Sequence, residues 1–435
     1  MIDLATGTIG EFFNLDPGYA FQSGDFIDAG IPVIKIKNIK AGYFSDHEFS
    51  YVSSRFLSSR ANKLAKTGDL LISMSGNRHD GSPETWVGKI ALFQPRGDFF
   101  INQRVGALRR KAGAKIDVRF ASFLLSSMPY QELFISIATS SGGQANLSPQ
   151  QILSAPLSYP RLETQIAIGE LLGSFDDKIE LNRRMNETLE AMAQAIFKDW
   201  FIDFGPTRAK MEGRAPYLAP EIWKLFPDRL DGEGKPEGWS LGTLGDIAQQ
   251  AGKTTRPETL SPATPYIGLE HLPRRSIALD AWDGAGKVTS GKLSFKLGDF
   301  LFGKLRPYFH KVGIAPVDGI CSTDIVVLNA KAPEARAFVI CCISQDDFVA
   351  FTDRNSEGTK MPRTSWGRMG MYEVMRPKAN ILSAFESVVG PQLKKIVASI
   401  HESRTLAAIR DLLLPKLMSG EIRVKDAAKT AVTAL

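Results

Sequence analysis

The amino-acid sequence contains the same short motifs twice, in the same order, and this repetition constrains the fold more than any other feature. Four pairs of segments match: 7–13 with 242–248, 31–39 with 264–272, 66–73 with 296–303, and 86–92 with 311–317. The offset between partners shrinks steadily along the chain, as deletions in the surface loops of a second copy would make it do. The pattern predicts an internal duplication and therefore two similar domains.

Each copy begins with short apolar runs separated by turn-forming residues. The runs DLLISMSG and DIVVLNA, at residues 69–76 and 324–330, are typical of strands bounded by Gly, Asp and Asn. A helical patch over residues 118–138 interrupts the strands of the first copy. The sequence therefore predicts an α+β fold with two similar domains of mixed α/β structure.

A long amphipathic segment follows each domain and indicates a helix. In the first copy, apolar residues recur at spacings of three and four after Pro160, and Asn182 and Asn186 occupy the middle of the same face. About 40 residues in a helix span roughly 60 Å, which is longer than a small domain is wide. This spacing is typical of a coiled coil with a polar centre. The predicted seam residues of the two helices are Leu172, Phe175, Ile179, Leu189, Ile196, Trp200, Val389, Ile396, Leu406, Leu413 and Leu417.

The matching helix in the same chain is the natural partner for each long helix. Because the first helix must deliver the chain to the second domain, we predict an antiparallel pair that forms a spacer with a pseudo-twofold axis. The predicted boundaries are 1–160 for the first domain, 161–204 for the first spacer helix, 205–236 for a linker rich in Pro and Gly, 237–377 for the second domain, 378–424 for the second spacer helix and 425–435 for a flexible tail.

The bulk composition favours a multidomain protein of the cytoplasm. A length of 435 residues is too great for one ordinary hydrophobic core. No run approaches the roughly 18 apolar residues of a membrane helix, and the N-terminus lacks the basic start and apolar core of an export signal. Cys321, Cys341 and Cys342 do not make a disulfide framework, and the adjacent pair lacks the spacing usual for metal ligands. We therefore expect no metal site.

Two basic stretches are compatible with a polyanionic partner. The net charge is +6, and residues 104–119 hold six basic residues against Asp117 alone. Residues 358–372 interleave three basic residues with Trp366 and Tyr372. Basic side chains neutralise phosphates, but such stretches are also common on solvated faces. The composition leaves both interpretations open.

Several segments together resemble the specificity subunit of a type I DNA restriction–modification system. They are LLGSFDDKIELNRRMNETLEAMAQAIFKDWF (171–201), PEGWSLGTLGDI (236–247), AAIRDLLLPKLMSGEI (407–422), GDLLIS (68–73) and SSGGQANLS (140–148). The resemblance covers almost the whole chain in a specific order. One departure is that the second domain lacks the Ser-Gly-rich loop, whose counterpart is SEGTKMPRTS at residues 356–365. The role of that loop in the second domain is left open.

The resemblance implies a division of labour among subunits. Each half would carry a target-recognition domain that reads one part of a split double-stranded DNA sequence, and the antiparallel helices would set the distance between the parts. Methyltransferase subunits would dock on this chain, and a restriction/translocase subunit would join them. S-adenosylmethionine, ATP and Mg²⁺ would belong to those partners, so we expect no cofactor in this subunit and no membrane contact.

Segments that imitate catalytic motifs are incomplete. DPGY at residues 16–19 lacks the second proline of a methyltransferase motif, and GKVTSGKL at residues 286–293 has Leu293 where a phosphate loop needs a hydroxyl. The five histidines are scattered along the chain. The sequence therefore predicts a non-catalytic subunit without catalytic or metal-binding residues.

The residues predicted to contact DNA carry amide or cationic side chains in loops. Asn and Gln can pair bidentately with adenine, and Arg can do so with guanine. The candidates are Asn77, Arg78, Gln144 and Asn146 in the first domain, and Lys304, Arg306, Lys360, Arg363 and Arg368 in the second. For each of them, phosphate contact or simple solvation is an alternative to base reading.

Two other functions are compatible with the same pattern. A coiled-coil scaffold could recruit protein partners without DNA specificity, and a stand-alone enzyme could hide its active site among scattered residues. Binding of one bipartite duplex far above random DNA would exclude the scaffold. Methylation, cleavage or ATP hydrolysis by the purified chain would favour the enzyme.

Overall fold

The computed structural model describes residues 4–80, 85–141 and 143–434, with side chains described for all but 141 and 430–434. The chain forms two compact units. Unit 1 comprises Met1–Asp177 and Leu406–Leu435, and unit 2 comprises Lys178–Thr405. A layout of two mixed α/β units fits the predicted fold class. The limits of the units fall inside the two long helices, whereas the sequence analysis puts domain limits at the helix ends.

Unit 1 is built from short strands with a few helices between them. Its strands are β1 (Ala5–Thr8), β2 (Phe13–Pro17), β3 (Phe26–Ile27), β4 (Ile31–Ile34), β5 (Ser50–Val52), β6 (Leu70–Ser73), β7 (Ser75–Gly76), β8 (Ile90–Leu92), β9 (Phe100–Ile101), β10 (Val105–Arg110), β11 (Thr139–Ser141), β12 (Gln144–Asn146) and β13 (Pro156–Tyr159). Its helices are α1 (Ile9–Phe12), α2 (Phe56–Ser59), α3 (Val118–Ser126), α4 (Met128–Ile137), α5 (Pro149–Leu153) and the beginning of α6 (Leu162–Phe201).

The central sheet of unit 1 has the order β2–β10–β6–β8, and its neighbouring strands are antiparallel. All residues of β6 are buried, as its continuous apolar run predicts. A second sheet has the order β3–β5–β4–β9, and a small third sheet has the order β11–β12–β7. The predicted helical patch forms α3 and α4. Helix α3 begins after Asp117, whose side chain accepts a hydrogen bond from Phe120 N at 2.8 Å.

Unit 2 is built in the same way. Its strands are β14 (Ser240–Thr243), β15 (Ala248–Gln250), β16 (Thr254–Thr255), β17 (Pro265–Ile267), β18 (Asp283–Gly284), β19 (Lys292–Phe295), β20 (Phe300–Gly303), β21 (Val312–Ile314), β22 (Gly319–Cys321), β23 (Ile325–Ala330) and β24 (Glu373–Arg376). Its helices are the remainder of α6, then α7 (Gly205–Met211), α8 (Pro220–Trp223), α9 (Leu244–Ile247), α10 (Arg336–Ile343), α11 (Asp346–Arg354), α12 (Trp366–Met369) and most of α13 (Ala379–Ser419).

The main sheet of unit 2 has the order β15–β23–β20–β21. Its strands occupy the positions that β2, β10, β6 and β8 occupy in the central sheet of unit 1. The pair β14–β24 likewise corresponds to the pair β1–β13. The remaining strands form a sheet with the order β16–β19–β22–β17–β18. The two sequence copies therefore fold into main sheets and terminal strand pairs of the same strand order, whereas their remaining sheets differ.

The two long helices contact each other inside each unit. In unit 2, the rings of Trp200 and Phe385 are 5.6 Å apart, and Asn182 Nδ2 donates a hydrogen bond to Glu402 Oε2 at 2.9 Å. In unit 1, Arg410 Nη1 contacts Asp176 Oδ1 at 2.7 Å. In unit 2, Asn182 meets Glu402, and Trp200, further along α6, meets Phe385, which lies earlier in α13. The two helices are therefore antiparallel there.

The faces of the helices that the sequence analysis assigns to the seam are largely covered. Asn182 and Asn186 are buried. Three of the predicted seam residues are half-buried: Ile179, Leu189 and Ile196. The others are buried: Leu172, Phe175, Trp200, Val389, Ile396, Leu406, Leu413 and Leu417.

The connection over residues 205–236 contains α7 and α8 and packs within unit 2. Ala209 and Phe226 are buried, and the ring of Phe226 lies 5.0 Å from that of Trp200. Lys210 Nζ also donates a hydrogen bond to Phe226 O at 2.6 Å. The Pro and Gly content suggests a simple linker, but apolar burial by the aromatic residues between them makes this segment part of the unit.

The C-terminal segment differs from the predicted flexible tail of residues 425–435. Helix α14 spans Val424–Ala434, and Ala427 is buried. Alanine and lysine are strong helix formers, and they are frequent in this segment. Helix propensity therefore outweighs the terminal position here.

Candidate nucleic-acid interface

A small hairpin in unit 1 brings together most of the predicted residues of the first domain. Strand β12 pairs with β11 and with β7, so that Asn146 lies opposite Ser75 and Ala145 opposite Gly76. Leu147 N donates a hydrogen bond to Met74 O at 2.9 Å and continues this pairing. We call residues 139–141 and 143–147 the unit 1 hairpin.

Arg78 anchors the unit 1 hairpin to the end of helix α4. Its Nη1 donates a hydrogen bond to Ile135 O at 3.1 Å, and its Nη2 contacts Ala138 O and, at 3.4 Å, Ser140 Oγ. Cations are favoured beside the carbonyl groups at the C-terminus of a helix. The guanidinium group of Arg78 is therefore occupied by the protein itself.

Asn146 also uses its polar atoms inside the protein. Its Oδ1 accepts a hydrogen bond from Ser75 Oγ at 2.7 Å, and its Nδ2 donates one to Gln144 O at 3.3 Å. Asn77 is half-buried and donates a hydrogen bond from Nδ2 to Thr85 Oγ1 at 3.0 Å. These amides hold the loops around the hairpin together.

Arg104 is a residue of this site that the sequence analysis did not single out. It is exposed, and its Nη1 donates a hydrogen bond to Gln144 Oε1 at 3.0 Å. Its carbonyl oxygen accepts a hydrogen bond from Met74 N at 2.9 Å, which fixes its backbone beside the hairpin. The only sequence signal was its place at the start of a basic stretch. The long-range pairing that brings it to Gln144 has no local signature.

The rest of the basic stretch 104–119 is largely used for internal contacts. Arg109 contacts Asp16 at 2.8 Å and Asp69 at 3.1 Å, and Arg119 contacts Asp177 at 2.6 Å. Burial raises the pKa of Asp69, although Arg109 opposes this shift by favouring the charged carboxylate. The stretch is therefore not a continuous cationic surface.

Unit 2 contains a second hairpin in the corresponding place. Arg363 forms β-bridges with both Leu305 and Glu357. Lys304 N donates a hydrogen bond to Asp324 O at 2.9 Å, and Thr364 N donates one to Lys304 O at 3.0 Å. We call residues 356–364 the unit 2 hairpin.

The backbone contacts of the two hairpins define equivalent positions. In unit 1, Met74 N donates a hydrogen bond to Arg104 O, and Met74 O accepts one from Leu147 N. In unit 2, Lys304 N donates to Asp324 O, and Lys304 O accepts from Thr364 N in the same way. Arg104 therefore corresponds to Asp324. The same contacts make Asn146 the counterpart of Arg363, because these residues precede Leu147 and Thr364. The segment without a Ser-Gly-rich motif thus occupies the position of the Ser-Gly-rich loop.

The predicted residues of the second domain fall into different environments. Arg306 is half-buried in a left-handed conformation, with φ of 50°, and its backbone N donates a hydrogen bond to Pro362 O at 2.7 Å. Arg368 donates a hydrogen bond from Nη1 to Asn355 O at 2.6 Å and also contacts Glu357. Arg368 therefore anchors its hairpin, as Arg78 does in unit 1. Lys360 is exposed within the hairpin.

Arg363 is held by one acidic side chain. Its Nε donates a hydrogen bond to Asp324 Oδ1 at 3.2 Å, and its side chain remains 48% exposed. Within the part of the chain that the structure describes, no other hydrogen-bond partner engages its guanidinium group. The outer edge of this guanidinium is therefore available to a ligand.

The aromatic residues of the stretch 358–372 belong to the core of unit 2. Trp366 packs against the buried apolar cluster. The ring of Tyr372 lies 5.1 Å from that of Phe348, and burial raises the pKa of Tyr372 to about 12. These rings stabilise the unit and are not presented for stacking on bases.

The structure also bears on the catalytic and metal chemistry considered from the sequence. Segment 286–293 runs into strand β19, where a phosphate loop would need a helix N-terminus. Cys321, Cys341 and Cys342 are free thiols buried in apolar surroundings. Among residues 4–80, 85–141 and 143–434, no cluster of three potential metal ligands occurs. No helix in these same ranges has the length and apolar character needed to cross a membrane.

Comparison with known proteins gives these features a context. Residues 1–191 match the family model described as the type I restriction modification DNA specificity domain. The chain is 25% identical to the type I restriction enzyme HindI specificity subunit of Haemophilus influenzae over 94% of this chain and 95% of that protein. It is 31% identical to the EcoDI specificity subunit of Escherichia coli over 43% of each chain. The crystal structure of the S subunit of a type I restriction-modification system from M. genitalium shares the fold, with a TM-score of 0.54, 16% identity and 96% coverage of both chains.

These matches show that the chain is similar to the specificity proteins of DNA restriction and modification. Over most of its length the chain is similar to a type I restriction enzyme specificity subunit, and its residues 1–191 match the DNA specificity domain, as the resemblance of its sequence predicts. The prediction of a specificity subunit rather than an enzyme agrees with this family.

Proposed function

We propose that the chain recognises an asymmetric, bipartite sequence in double-stranded DNA, with one half-site read by each unit. The observation that carries this proposal is the pair of equivalent hairpins. The unit 1 hairpin carries Gln144 with Arg104 beside it, and the unit 2 hairpin carries Lys360 and Arg363, all of them exposed or half-buried. Such side chains form bidentate hydrogen bonds with base edges in the major groove.

The side chains at equivalent positions differ between the units, which supports an asymmetric target. Arg104 and Asn146 in unit 1 stand where unit 2 has Asp324 and Arg363. A change from an amide or an acid to a guanidinium changes the preferred base. We therefore infer two half-sites of different sequence, separated by base pairs that neither hairpin reads.

We infer that the two long helices act as a coiled-coil spacer that sets the distance between the half-sites. Support comes from their contacts in each unit, which are antiparallel in unit 2, and from the buried Asn182, because a polar residue in a seam specifies register. Half-sites on one side of a duplex lie about 34–36 Å apart when one helical turn separates them. The same architecture follows from the internal duplication that the sequence indicates.

The spacer can be tested by its length. We expect the deletion of one heptad from both helices in register to shorten them by about 10 Å, which corresponds to roughly three base pairs. The preferred gap between half-sites should then shrink while the bases read in each half-site stay the same. An unchanged gap would exclude the spacer role.

We further propose that methyltransferase subunits dock on this chain and that a restriction/translocase subunit joins them. Helix α6 supports this with an apolar outer face, on which Leu181 is 58% exposed, Met192 is 49% exposed and Met185 is half-buried. S-adenosylmethionine, ATP and Mg²⁺ would act in those partners. We expect the double change Leu181→Glu and Met192→Glu to reduce co-purification of the methyltransferase subunit, whereas Met211→Glu, at an exposed residue of α7, should not.

The recognition of DNA is tested by selection from a random duplex library at about 0.15 M salt. We expect the full chain, together with its methyltransferase subunits, to enrich one split motif. A chain that binds its protein partners but enriches no motif would be a recruitment scaffold without DNA specificity. Methylation, cleavage or ATP hydrolysis by the purified chain alone would instead indicate an enzyme.

A further inference from the structure

We propose that Arg104 in unit 1 and Arg363 in unit 2 each read one guanine, and that Gln144 and Asp324 are the positioning residues that orient them. This inference rests on the proposed recognition of DNA and names the base and the side chains at each hairpin. It follows from how each guanidinium is held, from which of its edges is left open and from the equivalence of the two hairpins.

Each arginine is fixed at one nitrogen by a side chain from the neighbouring segment. Arg104 donates through Nη1 to Gln144 Oε1 at 3.0 Å, and Arg363 donates through Nε to Asp324 Oδ1 at 3.2 Å. An arginine that is free in solution loses rotamer entropy when it binds a base. Because the partner restrains each guanidinium before DNA arrives, less of this entropy is lost on binding.

The held nitrogen determines which edge of each guanidinium faces outward. In the described ranges, Nε and Nη2 of Arg104 have no hydrogen-bond partner, and neither do Nη1 and Nη2 of Arg363. Either pair of N–H groups matches the O6 and N7 acceptors of guanine in the major groove. Both residues are exposed, so a duplex can reach these edges.

Three other cations at the hairpins do not offer such an edge. Arg78 is bound to carbonyl groups at the end of α4, and Arg368 is bound to Asn355 O and Glu357. Lys360 is exposed but carries a single ammonium group, which cannot form the planar bidentate contact of a guanidinium. Among the arginines named at the two hairpins, Arg104 and Arg363 are therefore the ones that are exposed, held at one nitrogen and left with an open edge.

The pairs Arg104–Gln144 and Asp324–Arg363 connect the same two segments of the fold, but the arginine lies on opposite segments in the two units. In unit 1, the arginine lies in the turn before β10 and its partner lies on the hairpin. In unit 2, the acid lies in the turn before β23 and the arginine lies on the hairpin. A cation restrained between these two segments is thus common to both units, although the sequence positions that supply it differ.

The test is duplex selection with the full chain and its methyltransferase subunits, using Arg104→Ala and Arg363→Ala. We expect each variant to lose guanine preference at one base pair of one half-site, by about 5-fold to about 100-fold. The other half-site should be unchanged. Arg104→Lys and Arg363→Lys keep the charge and should lose part of the same preference, which guards against a folding defect as the cause.

The matched control is Arg229→Ala. Arg229 is also an exposed arginine held by an acid, with contacts of 2.9 Å and 2.6 Å to Glu237, but it lies outside both hairpins. It should leave all base preferences unchanged. If Arg104→Ala or Arg363→Ala lowers affinity equally for every sequence, or leaves guanine preference intact, the inference is wrong.

Asp324→Asn tests the positioning role. The change weakens the hold on Arg363 and removes a negative charge near the duplex. Guanine preference at the base pair of Arg363 should therefore fall, while affinity for random duplex stays the same or rises. A residue with a merely structural role would lower both. Failure of the wild-type protein to select any split motif would refute the proposed function itself, which separates that outcome from failure of this inference.

Discussion

The hairpins of the two units share a backbone arrangement but differ in the side chains at equivalent positions. Met74 and Lys304 form the same pair of backbone hydrogen bonds, and Asn146 and Arg363 occupy the same strand position. The amide of Asn146 is used within unit 1, whereas the guanidinium of Arg363 is half exposed. The backbone pairing therefore fixes where a side chain is presented, and the side chains decide what can be bound there.

The anchors of the two hairpins differ in strength, which gives the largest expected effect. Arg78 has three acceptors at the end of α4 and the start of β11, whereas Arg368 has two acceptors. We expect Arg78→Ala to make opening of the unit 1 hairpin easier by about 2 kcal/mol, because hydrogen bonds of a charged group are lost. Hydrogen exchange at β11 and β12 should accelerate, and base discrimination should fall throughout the first half-site.

The matched control for this prediction is Arg55→Ala in the same unit. Arg55 is 68% exposed and contacts Asp25 at 3.2 Å, and such surface ion pairs contribute little. We expect no change in exchange at the hairpin for this variant. Retained protection of β12 in Arg78→Ala would mean that strand pairing with β7 alone holds the hairpin.

An exchange of side chains between the hairpins sharpens the comparison at one base pair. The double change Arg104→Asp and Asn146→Arg places the unit 2 pair at the equivalent positions of unit 1. We expect the guanine preference due to Arg104 to be lost and a new guanine preference of several-fold to appear at another position of the same half-site. Selection from a duplex library measures both.

The single change Arg104→Asp is the control for this exchange. It removes the original arginine without supplying another, so it should abolish one preference and create none. If the double variant behaves like the single one, the two hairpins do not present their side chains equivalently to DNA.

The sequence predicts much of the fold because the relevant signals are local. Apolar runs such as that of β6 and the spacing in α6 and α13 follow directly from the periodicity of strands and helices. Asn182 is buried at the polar centre that this periodicity indicates. The C-terminal helix and the packed connection over residues 205–236 differ from the expected tail and linker, because composition alone does not reveal which residues find an apolar surface.

The candidate site is less predictable because it depends on pairing between distant segments. The amino-acid sequence of the loops identifies the region of both hairpins. However, the side chains of Asn146, Arg78 and Arg368 form hydrogen bonds within the protein. Arg104 becomes a candidate only because strand order brings it to Gln144. A side chain's type is visible in the sequence, whereas its partner across a sheet is not.

The smallest expected effect concerns the cation of the unit 2 hairpin that has no fixed partner in the described ranges, Lys360. If it contacts a phosphate, Lys360→Ala should lower affinity for all sequences alike, by roughly fivefold at about 0.15 M salt, and should reduce the salt slope by about one. Binding titrations over a range of salt with specific and random duplexes measure this, and Lys224→Ala, at the exposed residue that follows α8, is the control. A loss confined to one base pair would instead make Lys360 a base reader. It would also show that a flexible ammonium group can read a base as a restrained guanidinium does. The assignment of lysine to phosphate contact and of arginine to base reading would then be weaker for both hairpins.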